Sequence, residues 1–369
     1  MRNRLHALCP YFTMFPESFV AEHAQKYSQP GDLILDPFSG RGTTLLQSLL
    51  MNRQAAAIDV NPVAYCITGA KANVPEARKL RRRIEHLEGI YVESDHSLLK
   101  KARAALPGFF RKAFHRETLA QLLFLRSHLR WRRSYIDRFL AAVILGILHG
   151  ESDRSNRYLS NQMPRTISPK PAYCMRWWRK RKLRPENRDV FLRLREEITY
   201  RLGTSPAPDN TGTVVLGDAR AAARLLRELE KQVACVITSP PYYDVSSAEE
   251  DQWLRLWFLG HHSHPTYRVL SKDDRYEVEE KYWAFLEDVW GGIAPLLQDD
   301  AVIVCRLGGS KLGEHEITQG ISSSLQAAFP KARMLTKPRE SEIRRRQTHS
   351  FRPGTSGYRS EIDYVFAVG

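Results

Sequence analysis

Short apolar runs bounded by turn residues punctuate the chain at Asp32–Asp36, Ala55–Asp59, Thr213–Leu216, Val233–Thr238, Ala301–Arg306, Ala332–Thr336 and Ile362–Val368. Apolar residues at successive positions, without alternation, are what a strand covered on both faces requires. Stretches of helical period separate them: Ser18–Tyr27 precedes the first run, Thr43–Met51 follows it, and Ala219–Lys231, Glu249–Leu259, Val278–Leu297 and Ile317–Phe329 come later. Seven strands with helices between them predict an α/β fold around a largely parallel sheet. Between the second and third strands the pattern changes. Glu76–Glu93, Glu117–Trp131, Tyr135–His149 and Asn187–Leu202 read as helices, and a Pro- and aromatic-rich stretch at Arg157–Pro185 interrupts them.

Charge follows the same division. The chain of 369 residues carries a net charge of +15. Residues 66–210 hold 31 Lys and Arg against 14 Asp and Glu, whereas the rest holds 25 against 27. A near-neutral body, 1–65 with 211–369, is therefore expected to carry a basic helical insertion at 66–210. Charge runs usually end as solvated helix faces, but a surplus confined to one insertion points to a polyanion, nucleic acid first. Five cysteines without a Cys-x-x-Cys pair argue against a disulfide scaffold or a zinc-finger array. The longest apolar run, Phe139–Leu148, is half the length that a bilayer-spanning helix needs. No charged-then-apolar signal opens the sequence, so a cytoplasmic protein without a membrane partner is expected.

Two motifs carry the candidate chemistry. The first strand runs into Asp36-Pro37-Phe38-Ser39-Gly40-Arg41-Gly42-Thr43-Thr44 and then a helix. Glycines at such a turn admit close backbone approach by a ligand, and the helix start offers free N–H groups. No Lys follows the glycines, as a phosphate loop would need. An Asp ahead of the turn suits a cationic amine, and Asp59 at the end of the second strand is placed for ribose hydroxyls. That combination points to S-adenosylmethionine. The second motif, Ser239-Pro240-Pro241-Tyr242, ends the fourth strand. Consecutive prolines cannot continue a central ladder, so the chain leaves the sheet there with its carbonyls fixed in direction.

Together these motifs resemble the amino-methyltransferases of DNA, which methylate the exocyclic amine of cytosine (N4) or adenine (N6). Asp36–Thr44 matches the family's cofactor pattern Asp-Pro-Phe-x-Gly-x-Gly-Thr-Thr, and Ser239–Tyr242 matches its catalytic pattern (Ser/Asn/Asp)-Pro-Pro-(Tyr/Phe). Phe15-Pro16-Glu17 and Gly217-Asp218-Ala219-Arg220 resemble two further family segments. The resemblance implies a seven-stranded Rossmann-like methyltransferase sheet with the insertion between its second and third strands. It implies S-adenosylmethionine held by Phe15, Asp36, Pro37, Phe38, Gly40, Gly42, Thr43, Asp59 and Asp218, the last facing the cofactor's adenine. Ser239, Pro240, Pro241 and Tyr242 would be catalytic, Ser239 Oγ and the Pro240 carbonyl accepting from the target amine and Tyr242 stacking on the flipped base. No covalent nucleophile is needed, and Cys235 and Cys305 read as core residues. Ser in the first catalytic position favours cytosine N4, with adenine N6 and an RNA amino-methyltransferase as alternatives.

The resemblance also implies double-stranded DNA as partner, with a cognate restriction endonuclease or alone; oligomeric state does not follow. The insertion is the expected DNA-binding region, through Asn161, Gln162 and Arg165 and through Arg176, Arg179, Lys180 and Arg181. Trp253 and Trp257 read as helix packing, and His261-His262-Ser263-His264 lacks partners at ligand spacing, so no metal is expected. Replacing Arg176, Arg179, Lys180 and Arg181 together with Ala is expected to weaken DNA binding and flatten its dependence on salt, measured by titration at several salt concentrations. An unchanged affinity and slope would remove this stretch from the interface.

Overall fold

The computed structural model describes residues 2–11, 15–150, 155–164, 169–203, 207–243, 248–266, 278–308, 312–342 and 360–369. In chain order its elements are α1 (Glu17–Tyr27), β1 (Leu33–Asp36), α2 (Thr43–Leu50), β2 (Gln54–Asp59) and α3 (Pro62–Ala72). Seven helices follow: α4 (Ala77–Glu93), α5 (Ser97–Ala105), α6 (Gly108–Ala113), α7 (Arg116–His128), α8 (Tyr135–Ile147), α9 (Pro171–Lys180) and α10 (Val190–Leu202). Then come β3 (Thr213–Leu216), α11 (Ala222–Leu225), β4 (Val233–Thr238), α12 (Ala248–Phe258), α13 (Glu279–Ile293) and β5 (Leu297–Leu307). The chain ends with α14 (Glu314–Ala328), β6 (Arg333–Met334), β7 (Arg339–Glu342) and β8 (Ser360–Ala367). No helix among the described residues is long and apolar enough to cross a membrane.

The chain divides into two compact units. One comprises Thr13–Thr68, Pro208–Ser247 and Arg268–Gly369 and holds the sheet. Its strands run in the order β3-β2-β1-β4-β5-β8-β6, with β7 paired to β8. β1 to β5 are mutually parallel, and β8 is antiparallel to β5. This is the α/β architecture anticipated, with one strand more among the described residues than the seven expected. β7 escaped notice because Arg-Glu-Ser-Glu contains no apolar residue; its pairing with β8 places it in the sheet, and Arg339 pairs with Glu22 of α1.

Both faces of this sheet are covered, which explains the unbroken apolar runs. Leu33, Leu35, Ile58, Val236 and Ile303 pack with Phe285, Val289 and Trp290 of α13 and Ile317, Ile321 and Leu325 of α14. The alternate positions Ile34, Cys235, Ile237 and Val304 pack with Phe19, Val20 and Ala24 of α1 on the other face. The stretch Ala219–Lys231 is not one helix. It breaks into two 3-10 turns around α11, because Leu226 adopts φ −125° and ends the helical run.

The other unit comprises Met1–Phe12, Gly69–Ala207 and Ala248–Tyr267 and is helical. Its extent corrects the expected boundaries, since the first twelve residues and α12 fall in this unit rather than with the sheet. The reason is packing within the unit. Trp253 and Trp257 of α12 are buried against Phe110, and Trp253 Nε1 donates to the Pro169 carbonyl at 3.1 Å. Side-chain caps from His115, Ser134 and Asp189 start α7, α8 and α10. α9 lies within the Pro-rich stretch expected to interrupt the helices; Pro171 stands at its start, where a missing N–H costs nothing.

Gly292 of α13 shows how closely the sheet unit is packed: a Cβ there would lie 2.5 Å from the Arg220 carbonyl oxygen. Gly292→Ala is expected to destabilise the protein by about 1–3 kcal/mol, read as a lower urea midpoint. A midpoint at or above that of the unsubstituted protein would contradict this packing.

Candidate active site

Both motifs emerge at the carboxyl ends of neighbouring parallel strands. From β1 the sheet extends one way through β2 to β3 and the other way through β4 to β5, so the crevice between β1 and β4 is the point where strand order reverses. Open α/β sheets bind ligands at that point. Among the described residues, two hydrogen bonds join the first motif to the end of β4, from which the second motif emerges. Thr238 Oγ1, the last residue of β4, donates to Asp36 Oδ1 at 2.7 Å, and Thr44 Oγ1 donates to the Ile237 carbonyl at 3.0 Å.

Glycine conformation shapes the turn after β1. Gly40 and Gly42 have φ +50° and +72°, the left-handed region that favours glycine. At Gly42 a Cβ would also meet Thr68 Oγ1 at 2.7 Å. The Gly40 N–H donates to Asp59 Oδ2 at 2.8 Å, and the Asn61 N–H donates to Asp59 Oδ1 at 2.9 Å. Asp59 thus holds the turn against the end of β2. Pro37 is buried, Thr43 Oγ1 accepts from Arg41 Nε at 3.2 Å, and half-buried Phe38 lies 6.0 Å from Phe285. Phe15 packs edge-on against Phe19 at 5.2 Å. Asp218 is gripped by its neighbour, Arg220 Nη2 lying 2.7 Å from its carboxylate.

Asp36 is the electrostatic centre of the turn. Its Oδ1 accepts from Thr238 and from the Phe38 N–H, while among the described residues its buried Oδ2 has no hydrogen-bond partner. Burial raises its pKa to about 6, against the lowering effect of those hydrogen bonds. A buried acceptor without a donor, beside a glycine turn and a second carboxylate, fits the ammonium group and ribose of S-adenosylmethionine. Asp36, the Gly40–Gly42 turn and Asp59 are the residues that would hold it.

Ser239 follows β4 directly and is half-buried, and its Oγ donates to Tyr242 Oη at 3.4 Å. Tyr242 departs from its expected role. Its ring is 5% exposed within the apolar cluster under α13, so it offers no open face for a base to stack on. Its hydroxyl instead donates to Glu361 Oε1 at 3.0 Å, and burial, followed by the Glu361 charge, holds the phenol well above its ordinary pKa. Pro240 is buried and Pro241 half-buried between them. Cys235 and Cys305 are fully buried core residues whose thiols burial pushes up.

Glu361, Arg306 and Asp363 were missed by sequence reasoning. Arg306 and Asp363 are direct partners across β5 and β8, bonded at 2.6 and 2.8 Å, and Arg306 Nη1 lies 3.5 Å from Glu361. The Arg306 guanidinium also sits 4.1 Å over the Phe19 ring. The available signal was a charge inside each of two apolar runs, Val-Ile-Val-Cys-Arg-Leu and Ile-Asp-Tyr-Val, since buried charges require partners.

The residues expected to bind DNA separate in the helical unit. Arg176, Arg179, Lys180 and Arg181 of α9 and its end are exposed, with Arg181 4.4 Å over the half-buried Trp177 ring. Trp178 is buried and donates to the Gln162 carbonyl, which leaves Gln162 half-buried. Asn161 is a correction. It is 5% exposed, its Nδ2 donates to the Lys112 carbonyl and its Oδ1 accepts from the Gln162 N–H, so its amide is spent inside the fold and not offered to base edges. Arg165 lies outside the described residues. Among the described residues no cluster of three or more His, Cys, Asp or Glu is arranged to hold a metal.

Comparison with known proteins bears out the resemblance to the DNA amino-methyltransferases. Residues 2–68 match the DNA methylase family of N6 and N4 methyltransferases, a stretch that includes the cofactor motif and ends before the catalytic one. Over 80 residues the chain is 32% identical to the type II methyltransferase M.MjaII of Methanocaldococcus jannaschii, spanning 22% of this chain and 15% of that protein. Among solved structures it is similar to TrmN from Thermus thermophilus (TM-score 0.38, 10% identity, 100% of this chain and 53% of that one). It is also similar to the rRNA methyltransferase aviRa from Streptomyces viridochromogenes (TM-score 0.36, 15% identity, 100% of this chain and 93% of that one).

Held against a cationic ligand, Asp36 would make binding depend on pH with a definite sign. Its carboxyl titrates higher folded, near 6, than its ordinary 3.8, so ionising it costs stability as pH rises through that window, and a bound cation recovers the cost. S-adenosylmethionine is therefore expected to bind well above pH 6 and progressively less below it by calorimetry. Asp36→Asn should bind weakly with no such step; a variant retaining both affinity and step would exclude the role.

Proposed function

We propose that this chain transfers a methyl group from S-adenosylmethionine to the exocyclic amine of a base in DNA, cytosine N4 in preference to adenine N6. The observation that carries the reading is the joining of the first motif, at the strand-order reversal, to the strand end that leads into the second, through Thr238 to Asp36 and Thr44 to Ile237. The family match of residues 2–68, which takes in the first motif, supports it too. When bound, the cofactor supplies an electrophilic methyl on a sulfonium. The chain's own residues supply position and hydrogen-bond acceptors. Asp36 Oδ2 would receive the cofactor's ammonium group, the Gly40–Gly42 turn would admit its close approach and Asp59 would take its ribose hydroxyls.

An aromatic exocyclic amine is a weak nucleophile because its lone pair is delocalised into the ring. Ser239 Oγ and the Pro240 carbonyl accept from its two N–H groups and draw the nitrogen towards a tetrahedral form as the new bond grows. The remaining rate would come from holding the amine in line for attack; as the N–C bond forms, the methyl's bond to sulfur would break with its electron pair left on sulfur, and the surplus N–H proton would pass to solvent. The target base is reached by turning it out of the duplex. The exposed cations of α9, Arg176, Arg179, Lys180 and Arg181, hold the phosphate backbone without reading sequence. Ser in the first catalytic position supports the cytosine preference, and the enzyme works beside a restriction endonuclease or alone.

Incubating purified protein and S-adenosylmethionine with duplex DNA or with total RNA, then analysing nucleosides by mass spectrometry, tests this. N4-methylcytosine in the DNA arm is the expected product. N6-methyladenine alone would overturn the base preference, methylated RNA with unmethylated DNA the substrate, and no product in either arm the whole reading.

A further inference from the structure

The hydrogen bonds around Ser239 have a direction, and the group that sets it lies on a different strand. A carboxylate can only accept, and a hydroxyl has one hydrogen to give. Glu361 Oε1 takes the Tyr242 hydrogen at 3.0 Å, which leaves the Tyr242 oxygen as an acceptor. Ser239 gives its hydrogen to that oxygen at 3.4 Å, which leaves Ser239 Oγ with lone pairs to offer. Glu361 is itself fixed. Arg306 lies 3.5 Å from its second oxygen and is locked by two bonds to Asp363.

We propose that Glu361 is a positioning and specificity residue: by accepting from Tyr242 it orients the chain of hydroxyls so that Ser239 meets the target base as an acceptor. The inference rests on the methyl-transfer reading above and deepens it. An exocyclic amine brings N–H groups that such an acceptor can receive. A ring carbonyl at the same position brings only lone pairs, which would face those of Ser239. The polarity thus selects cytosine and adenine over bases bearing a carbonyl there, and the selection originates on β8. Neither Tyr242 nor Glu361 needs to touch the substrate.

Glu361→Gln is nearly isosteric, yet its amide can donate to Tyr242 and let the chain run in reverse. Tyr242→Phe cuts the chain while leaving the Arg306–Glu361 pair in place. Single-turnover methyl transfer to duplex DNA, with cofactor and DNA affinities and thermal midpoints, is measured for both and for the double variant. Each single variant is expected to slow transfer by about 10- to 100-fold while both affinities stay within about twofold. The double variant should be no slower than Tyr242→Phe, because Glu361 acts through Tyr242. Glu361→Gln at the unsubstituted rate, or losses that multiply in the double variant, would overturn the proposal. If Glu361→Gln fails to fold, Tyr242→Phe decides alone: an unchanged rate overturns it. An unsubstituted protein that methylates neither DNA nor RNA sinks the underlying reading and this inference with it, whereas an active one beside a fully active Glu361→Gln sinks this inference alone.

Discussion

The 2.7 Å hydrogen bond from Thr238 to Asp36 is the interaction on which the site depends. It spans two strands whose loops come from distant parts of the chain, and it fixes a cofactor-type turn and a Pro-Pro motif side by side. Asp36 is buried there at an energetic cost visible in its pKa near 6. A fold keeps such a strained carboxylate only where the surrounding packing over-determines it. Here both faces of the sheet do so, α13 and α14 on one side and α1 on the other. A group that brings a positive charge to Oδ2 relieves the cost, which couples binding to the stability of the strand ends.

A second buried polar system stands one strand away and does a different job. Arg306 and Asp363 face each other in register across β5 and β8, and Glu361 completes the cluster at its edge. Replacing Arg306 would leave two carboxylates without their shared cation in the sheet. The cluster holds Tyr242 by its hydroxyl, and Tyr242 in turn orders the residues before it. Tyr242 therefore belongs to the scaffold of the site and not to its surface.

Much of this was legible in the sequence. The apolar runs placed the sheet because a doubly covered strand has no polar face to interrupt the pattern. The glycines and the Pro-Pro pair fixed where the chain leaves it. What was not legible depends on pairing across distance. β7 is polar throughout and joins the sheet through β8. The burial of Asn161 and Trp178 follows from tertiary packing, although both sit in a stretch whose composition alone suggests an open basic surface. α12 joins the helical unit through Trp253 and Trp257, and no local pattern announces which body a packing tryptophan will enter.

The central claim is that the Asp36 turn and the Ser239 motif form one methyl-transfer site for DNA. Sequencing with modification detection, applied to DNA from a host expressing the protein and from one expressing Ser239→Ala, tests it most directly. The account predicts a methylated amino base at a recurring short sequence with the unsubstituted protein and none with the variant. Unmodified DNA in both hosts, or the same modification in both, would contradict it.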